Sequence, residues 1–150
     1  RESRLKDAME PLLDAYDYIF IDCPPSLGIL TINALVASDG YIIPMQCEYY
    51  SLEGLAQLDM SVNKIKKLYH PSLTLIGILI TMYNGRLNLS VQVLEEVKKY
   101  YGPKLFSTPI ARNVRLSEAP GFGMPVYYYD KSSRGAQAYL DVANELIERI

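Results

Sequence analysis

The stretch YDYIFIDCPPSLG, residues 16–28, decides how the chain is read. An apolar run over 18–21 ends in Asp22, and two prolines and a glycine follow. Aromatic and β-branched residues suit a pleated strand, and the proline pair stops it. The run predicts a short strand with a carboxylate at its carboxyl end. Working outward, LTLIGILITM (73–82) is nearly continuous in apolar residues, the pattern of a strand covered on both faces. GYIIPM (40–45) predicts another strand, with Pro44 near its end. Helical spacing falls between them. It predicts helices over 2–13, with Leu5, Ala8, Met9, Leu12 and Leu13 on one face, and over 30–37. A longer helix is expected over 52–68, capped by Ser51 and apolar at Leu52, Leu55, Leu58, Val62, Ile65 and Leu68. Others follow over 89–101, stopped by Gly102 and Pro103, and over 135–150. A short helix over 115–119 ends at Pro120 and Gly121, residues 104–107 read as a fourth strand, and VYYYD (126–130) reads as a strand or core-lining loop. Strands alternating with helices predict an α/β layered fold with a mainly parallel sheet. In such sheets ligands gather beyond the carboxyl ends of the strands, so Asp22 is expected to face a crevice.

Composition narrows the class. A chain of 150 residues fits one domain, and 49% hydrophobic with 21% charged residues describes a globular chain. The formal charge of −2 supplies no field that would attract nucleic acid or an anionic membrane, so any such contact must rest on local residues. Cys23 and Cys47 are the only cysteines and form no CxxC pair. That argues against a disulfide framework or zinc site and fits a reducing cytoplasm, with both cysteines as small packing residues. No apolar run reaches the ~18 residues that suggest a membrane span, and no signal peptide is visible. His70, in LYHPSL, is expected to be solvated, with no partner for a triad or a metal site.

An apolar strand ending in Asp is the generic form of a Walker B segment. Magnesium prefers octahedral oxygen ligands and keeps several waters, which one carboxylate on a rigid strand end can hold beside nucleotide phosphates. The same pattern also serves as a helix cap or turn residue, and on pattern alone both stay open. Longer stretches are more specific. YDYIFIDCPPSLGILTINAL and IIPMQCEYYSLEGLAQL, then TMYNGRLNLSVQVLEEVKKYYGPKLF, ARNVRLSEAPGFGMPV and YDKSSRGAQAYLDVANEL, follow one another in order. Together they resemble the ParA/Soj family of chromosome- and plasmid-partitioning ATPases, deviant-Walker P-loop ATPases related to MinD. The resemblance covers nearly the whole chain. It implies a three-layer P-loop NTPase-like fold, ATP and Mg as cofactors, and Asp22 as the catalytic carboxylate that organises the magnesium's water. It also implies an ATP-bound homodimer that binds DNA non-specifically, a ParB-type partner that stimulates hydrolysis, and a cytoplasmic, nucleoid-associated location.

One departure stands out. The family carries a KGGxGKT-type P-loop near its N-terminus, whereas none of the nine glycines here precedes a lysine. Residues 1–150 therefore resemble the C-terminal part of a single ATPase domain, from Walker B onward. Without the amides and lysines that cradle phosphates, the chain alone is expected neither to bind ATP tightly nor to hydrolyse it. A sheet lacking its early strands is also expected to expose edges and apolar faces and to self-associate.

The resemblance assigns further residues. Gln46, Glu48 and Tyr49 match a switch-like segment near the dimer interface. Met82 and Asn84 at the end of the third strand, with Ile110 and Arg112 in the later loop, would approach the adenine. Ala111 stands where the family has a proline. Arg86 and Arg115 match basic positions the family uses for DNA. Arginine suits that task because its planar fork grips phosphate bidentately. Lys98, Lys99, Arg112 and Arg134 could extend the patch. Two other readings compete. A MinD-like membrane-cycling ATPase ends in a basic amphipathic helix, whereas DVANELIERI is acidic and fused to the last helix, so no membrane partner is expected. The other is a non-enzymatic DNA- or partner-binding remnant without a P-loop.

Overall fold

The most apolar run does become the central strand. In the computed structural model, which describes residues 1–150, β1 spans Gly40–Gln46 and β2 spans Thr74–Thr81. They pair as neighbours in a parallel sheet, with the helix Ser51–Tyr69 (α3) as the crossover in sequence. In β2, Gly77, Ile78, Leu79 and Ile80 are buried in succession, as a strand covered on both faces requires. β1 instead alternates: Ile43 and Met45 are buried while Pro44 and Gln46 are exposed. Pro44 has no N–H to give a ladder and sits on the open side.

The chain packs as two compact units. The first comprises Arg1–Tyr41 and Leu55–Leu75. Its core joins Leu35 and Val36 from α2 (Ile29–Ala37) to Val62, Ile65 and Leu73, with Ile32, Tyr41 and Leu58 packed against them. Leu68, expected on this face, is 72% exposed. At 3.6 residues per turn it points about 120° away from Val62. The first helix is shorter than the spacing predicts: α1 covers Arg4–Met9, and a 3₁₀ turn takes Glu10–Leu12. Pro11 is the cause, because its ring and missing N–H are incompatible with a helix interior. His70 is not the solvated residue expected. Its Nε2 lies 3.0 Å from the carbonyl of Ser38, which can only accept, so Nε2 carries the proton and ties the end of α3 to the end of α2.

The largest correction concerns residues 18–21. They form no strand: the segment has no ladder partner, and Tyr18, Ile19 and Phe20 are 52%, 37% and 74% exposed. Side-chain preference makes a strand only when a neighbouring edge supplies hydrogen bonds, and the two strands present pair with each other. The expected exposed apolar surface is there, with Leu30 72% exposed as well.

The second unit comprises Ile42–Gly54 and Ile76–Ile150. Its core gathers Leu79, Phe106, Ile110 and Val142, with Ile42, Leu116, Ala138 and Leu146 against them. α4 (Asn88–Tyr101) runs into a 3₁₀ turn at Gly102–Lys104, as the Gly-Pro pair predicts. The strand expected over 104–107 reduces to one parallel bridge, Ile78 with Leu105. α5 is Val114–Glu118, followed by a 3₁₀ turn at Ala119–Phe122. Val126–Tyr129, expected as strand or loop, is a helical turn, α6, because Pro125 fixes φ at its start and its carbonyl accepts from the amides of Tyr128 and Tyr129. α7 spans Arg134–Arg149, capped by Ser133, whose hydroxyl accepts from the Ala136 amide at 3.2 Å. Gly135 is required where α7 meets α5, since a Cβ there would sit 2.7 Å from Leu116 Cγ. No helix is long and apolar enough to cross a membrane.

Candidate functional site

In the first unit the site is built around the loop that enters α2. Thr31 Oγ1 donates to the Ser26 carbonyl at 2.6 Å and fixes the loop after the proline pair. Asn33, buried at 8% exposure, is the polar hub. Its Oδ1 accepts from the Leu5 amide at 3.2 Å, and its Nδ2 donates to the carbonyls of Ile29 at 2.9 Å and Arg1 at 3.0 Å. Sequence reasoning missed Asn33, because two of its three partners, Arg1 and Leu5, lie far along the chain. These contacts shape a cavity of about 570 Å³ whose walls include Arg1, Arg4, Ile21, Asp22, Ile29 and Asn33. The Asp22 carboxylate is exposed there, with neither ion pair nor hydrogen bond. No cluster of His, Cys, Asp and Glu could hold a metal by itself. A lone unpaired carboxylate suits an ion that keeps its waters and takes its other ligands from phosphates.

Cys23, beside Asp22, is exposed rather than packed, and Cys47 is buried as expected. Partial burial, and then the Asp22 carboxylate, push the Cys23 thiol above its ordinary value. A raised thiol pKa means that less thiolate is present at any pH below it, so alkylation is slowed. Iodoacetamide should modify Cys23 more slowly than a free thiol between about pH 7 and 9, and Asp22→Asn should speed it. Equal rates in the two proteins would remove Asp22 as a cause.

In the second unit the expected contacts converge at the end of β2. Tyr83 bridges to Ala111 in parallel, its amide donating to the Ile110 carbonyl at 2.9 Å, while the Ile110 amide donates to the Ile80 carbonyl at 2.8 Å. Met82 follows directly with φ of 50°, a left-handed conformation uncommon outside glycine, and is 51% exposed. Arg112 Nη2 donates to Met82 Sδ at 3.8 Å, so these two side chains share one surface. Asn84 Oδ1 accepts from the Arg86 amide at 3.1 Å, which closes the turn and leaves the Asn84 amino group outward. Ile110 differs from expectation: at 2% exposure its side chain is core and both its backbone groups are spent in the ladder. Its backbone ties the end of β2 to the loop that carries Arg112.

Arg86 is exposed, with no side-chain partner. Arg115 is exposed too, yet not free. Its Nη1 pairs with Glu118 at 2.7 Å and its Nε with Asp130 at 3.1 Å. Tyr129 donates to the same Glu118 oxygen at 3.1 Å. The Glu118 carboxyl is held below the usual carboxylate range, first by the hydrogen bond from Arg115. Asn113 caps α5 by accepting from the Arg115 amide at 3.0 Å, which orients the turn. The Arg115–Glu118 spacing, three apart on a helix, was a readable signal.

The profile of the AAA domain family matches residues 1–75. The sporulation initiation inhibitor protein Soj of Bacillus subtilis is 58% identical over 146 residues, covering 97% of this chain and 58% of that protein. Cobyrinic acid a,c-diamide synthase from Mycobacterium smegmatis, solved with bound ATP analog and magnesium, is 34% identical with a TM-score of 0.77, over 97% of this chain and 52% of that one. A putative plasmid partition protein from Borrelia burgdorferi bound to AMPPNP is 25% identical with a TM-score of 0.79, over 99% of this chain and 55% of that one. The chain spans about half the length of the curated relatives it matches.

Proposed function

Because this chain belongs to the AAA domain family, as a ParA/Soj-type member, we propose that residues 1–150 supply the Walker B portion of a single ATPase domain that partitions chromosomes or plasmids. The observation that carries this conclusion is the identity to Soj, 58% and running through 97% of the chain. The protein would bind ATP and magnesium, dimerise in the ATP-bound state, hold DNA without sequence preference, and release it when a ParB-type partner stimulates hydrolysis.

Asp22 is the residue that would hold magnesium, through water, since its carboxylate is exposed and unpaired at the cavity wall. The ion supplies charge neutralisation at the phosphates. Met82, Asn84 and Arg112 would contact the adenine, with Ile110 holding them in register. Met82 offers a soft apolar surface and Asn84 two amino hydrogens. The 150 residues contain no phosphate-cradling glycine–lysine loop. Isothermal titration of residues 1–150 with Mg-ATP should therefore show binding weaker than about 100 μM, as expected when backbone amides and a lysine do not surround the phosphates. Micromolar or tighter binding would overturn this assignment.

Arg86 and Arg115 would grip DNA phosphates. Substituting both with alanine in the complete protein should abolish DNA retention at 150 mM salt and leave ATP binding intact, because each lost phosphate contact lowers the salt slope by about one and a dimer loses both in duplicate. Retention equal to that of the unsubstituted protein would refute the role.

A further inference from the structure

Arg86 and Arg115 differ in one respect that bears on DNA. Arg86 has no acidic partner, whereas Arg115 faces two carboxylates, so its cluster is anionic as a whole. A guanidinium has two edges that can grip phosphate bidentately, Nε with Nη2 and Nη1 with Nη2. At Arg115 each edge contains a nitrogen already bonded to a carboxylate, Nε to Asp130 and Nη1 to Glu118. Only Nη2 is uncommitted. We propose that Glu118 and Asp130 form an acidic latch that withholds Arg115 from phosphate, so that DNA binding requires displacement of these carboxylates.

The latch is built, not incidental. Glu118 ends α5 and is oriented by the Tyr129 hydroxyl from α6. The Tyr129 ring is in turn stacked on Phe122 of the intervening 3₁₀ turn, with centroids 5.1 Å apart and planes 27° from parallel. Asp130 caps the end of α6, where its amide donates to the Val126 carbonyl. Residues from α5 and the end of α6 thus meet one guanidinium, with Phe122 of the turn between them bracing Tyr129. The pairs remain open to solvent, with Arg115, Glu118 and Asp130 side chains 49%, 36% and 29% exposed. Pairs this wet are weak, so a phosphate can compete for the arginine. Glu118 and Asp130 are positioning residues that act through Arg115. The inference rests on the DNA-binding role proposed above for Arg115.

The test measures non-specific duplex DNA binding by fluorescence anisotropy, with the complete protein and Mg-ATP, across a salt series. Glu118→Gln with Asp130→Asn should tighten binding roughly two- to tenfold, the range that weak exposed pairs allow. Adding Arg115→Ala should erase that gain. Tyr129→Phe, which keeps the ring stack, should give a smaller gain in the same direction, and serves if the double variant fails to fold. Binding equal to or weaker than wild type in a folded variant would overturn the latch. So would a gain that survives Arg115→Ala, since that would only be the removal of negative charge. Arg86→Ala reports on the DNA reading separately. If it weakens binding while the latch variants do nothing, the latch alone falls; if the wild-type protein holds no DNA, both fall.

Discussion

Arg149→Ala should destabilise the second unit by about 2–3 kcal/mol, the size of losing several charge-assisted hydrogen bonds and below the range for a fully buried ion pair, because this pair is only partly buried. The guanidinium is the C-terminal anchor of α7. Nη1 donates to the carbonyls of Ile76 at 2.9 Å and Lys104 at 3.2 Å, and Nη2 to that of Leu105 at 2.7 Å. The same group pairs with Glu145 and lies 4.3 Å above the Phe106 ring. Both charged side chains are 19% exposed, so solvent screening is modest. Alanine would leave carbonyls at 76, 104 and 105 short of a donor and Glu145 without its cation. Urea unfolding should show the midpoint falling accordingly, whereas a midpoint shift equivalent to less than about 1 kcal/mol would mean that water replaces the guanidinium at no loss. An acid signature accompanies it. Burial pushes the Glu145 carboxyl up, but the Ser107 amide and Arg149 outweigh that, and its net value lies below the ordinary carboxylate range. Its stabilising contribution is therefore complete above the ordinary value and lost as pH falls through the lowered one. Without Arg149, acid unfolding should begin at higher pH.

Nothing in the sequence reading singled out Arg149, a charge near the end of an amphipathic helix, because its partners are backbone carbonyls contributed by β2 and the bridge segment. What was legible was local. The run through Ile78, Leu79 and Ile80 declared a strand covered on both faces, and Asn113 and Ser133 declared helix starts. What was not legible was pairing. Residues 18–21 have the side chains of a strand and no edge to join. Pro11 was visible, but the apolar spacing on either side of it outweighed a breaker that in fact divides the helix. Four residues of VYYY are too few for either period to show. The site divides the same way. Asp22 was marked by its place at the end of an apolar run and Arg86 by the family resemblance, and the structure leaves both exposed and unpaired. Ile110 was assigned to the ligand and lies in the core, since an apolar residue between Pro109 and Ala111 gives no sign of which way it turns. Glu118 could have been paired with Arg115 from spacing alone, while Asp130 reaches it only because the 3₁₀ turn reverses the chain.

Gly77→Ala should cost about 2–3 kcal/mol in the same unit, at the upper end of overpacking effects. By backbone preference alone alanine would stabilise a strand position, by about 0.4–1 kcal/mol through the unfolded chain. Sterics decide the sign. A Cβ at 77 would lie 2.5 Å from Phe106 Cε2 and 2.9 Å from Arg149 Nη1. Neither neighbour is a loose side-chain end. Phe106 is 2% exposed and its amide donates to the Ile78 carbonyl at 2.9 Å, while Arg149 is held by its carbonyl acceptors. The glycine therefore exists to let the ring slide between strand and guanidinium. Two tests follow from that geometry. Phe106→Leu alone should destabilise, by losing the stacking and part of the core. Combined with Gly77→Ala, its penalty should shrink, because the smaller side chain vacates the space the new methyl needs. Residues in direct contact show coupling of about 0.5–3 kcal/mol in such a cycle. Denaturation of the four proteins measures it: coupling of that size and of compensating sign is expected, and strict additivity would show that the clash at Gly77 is relieved by some movement other than the ring's.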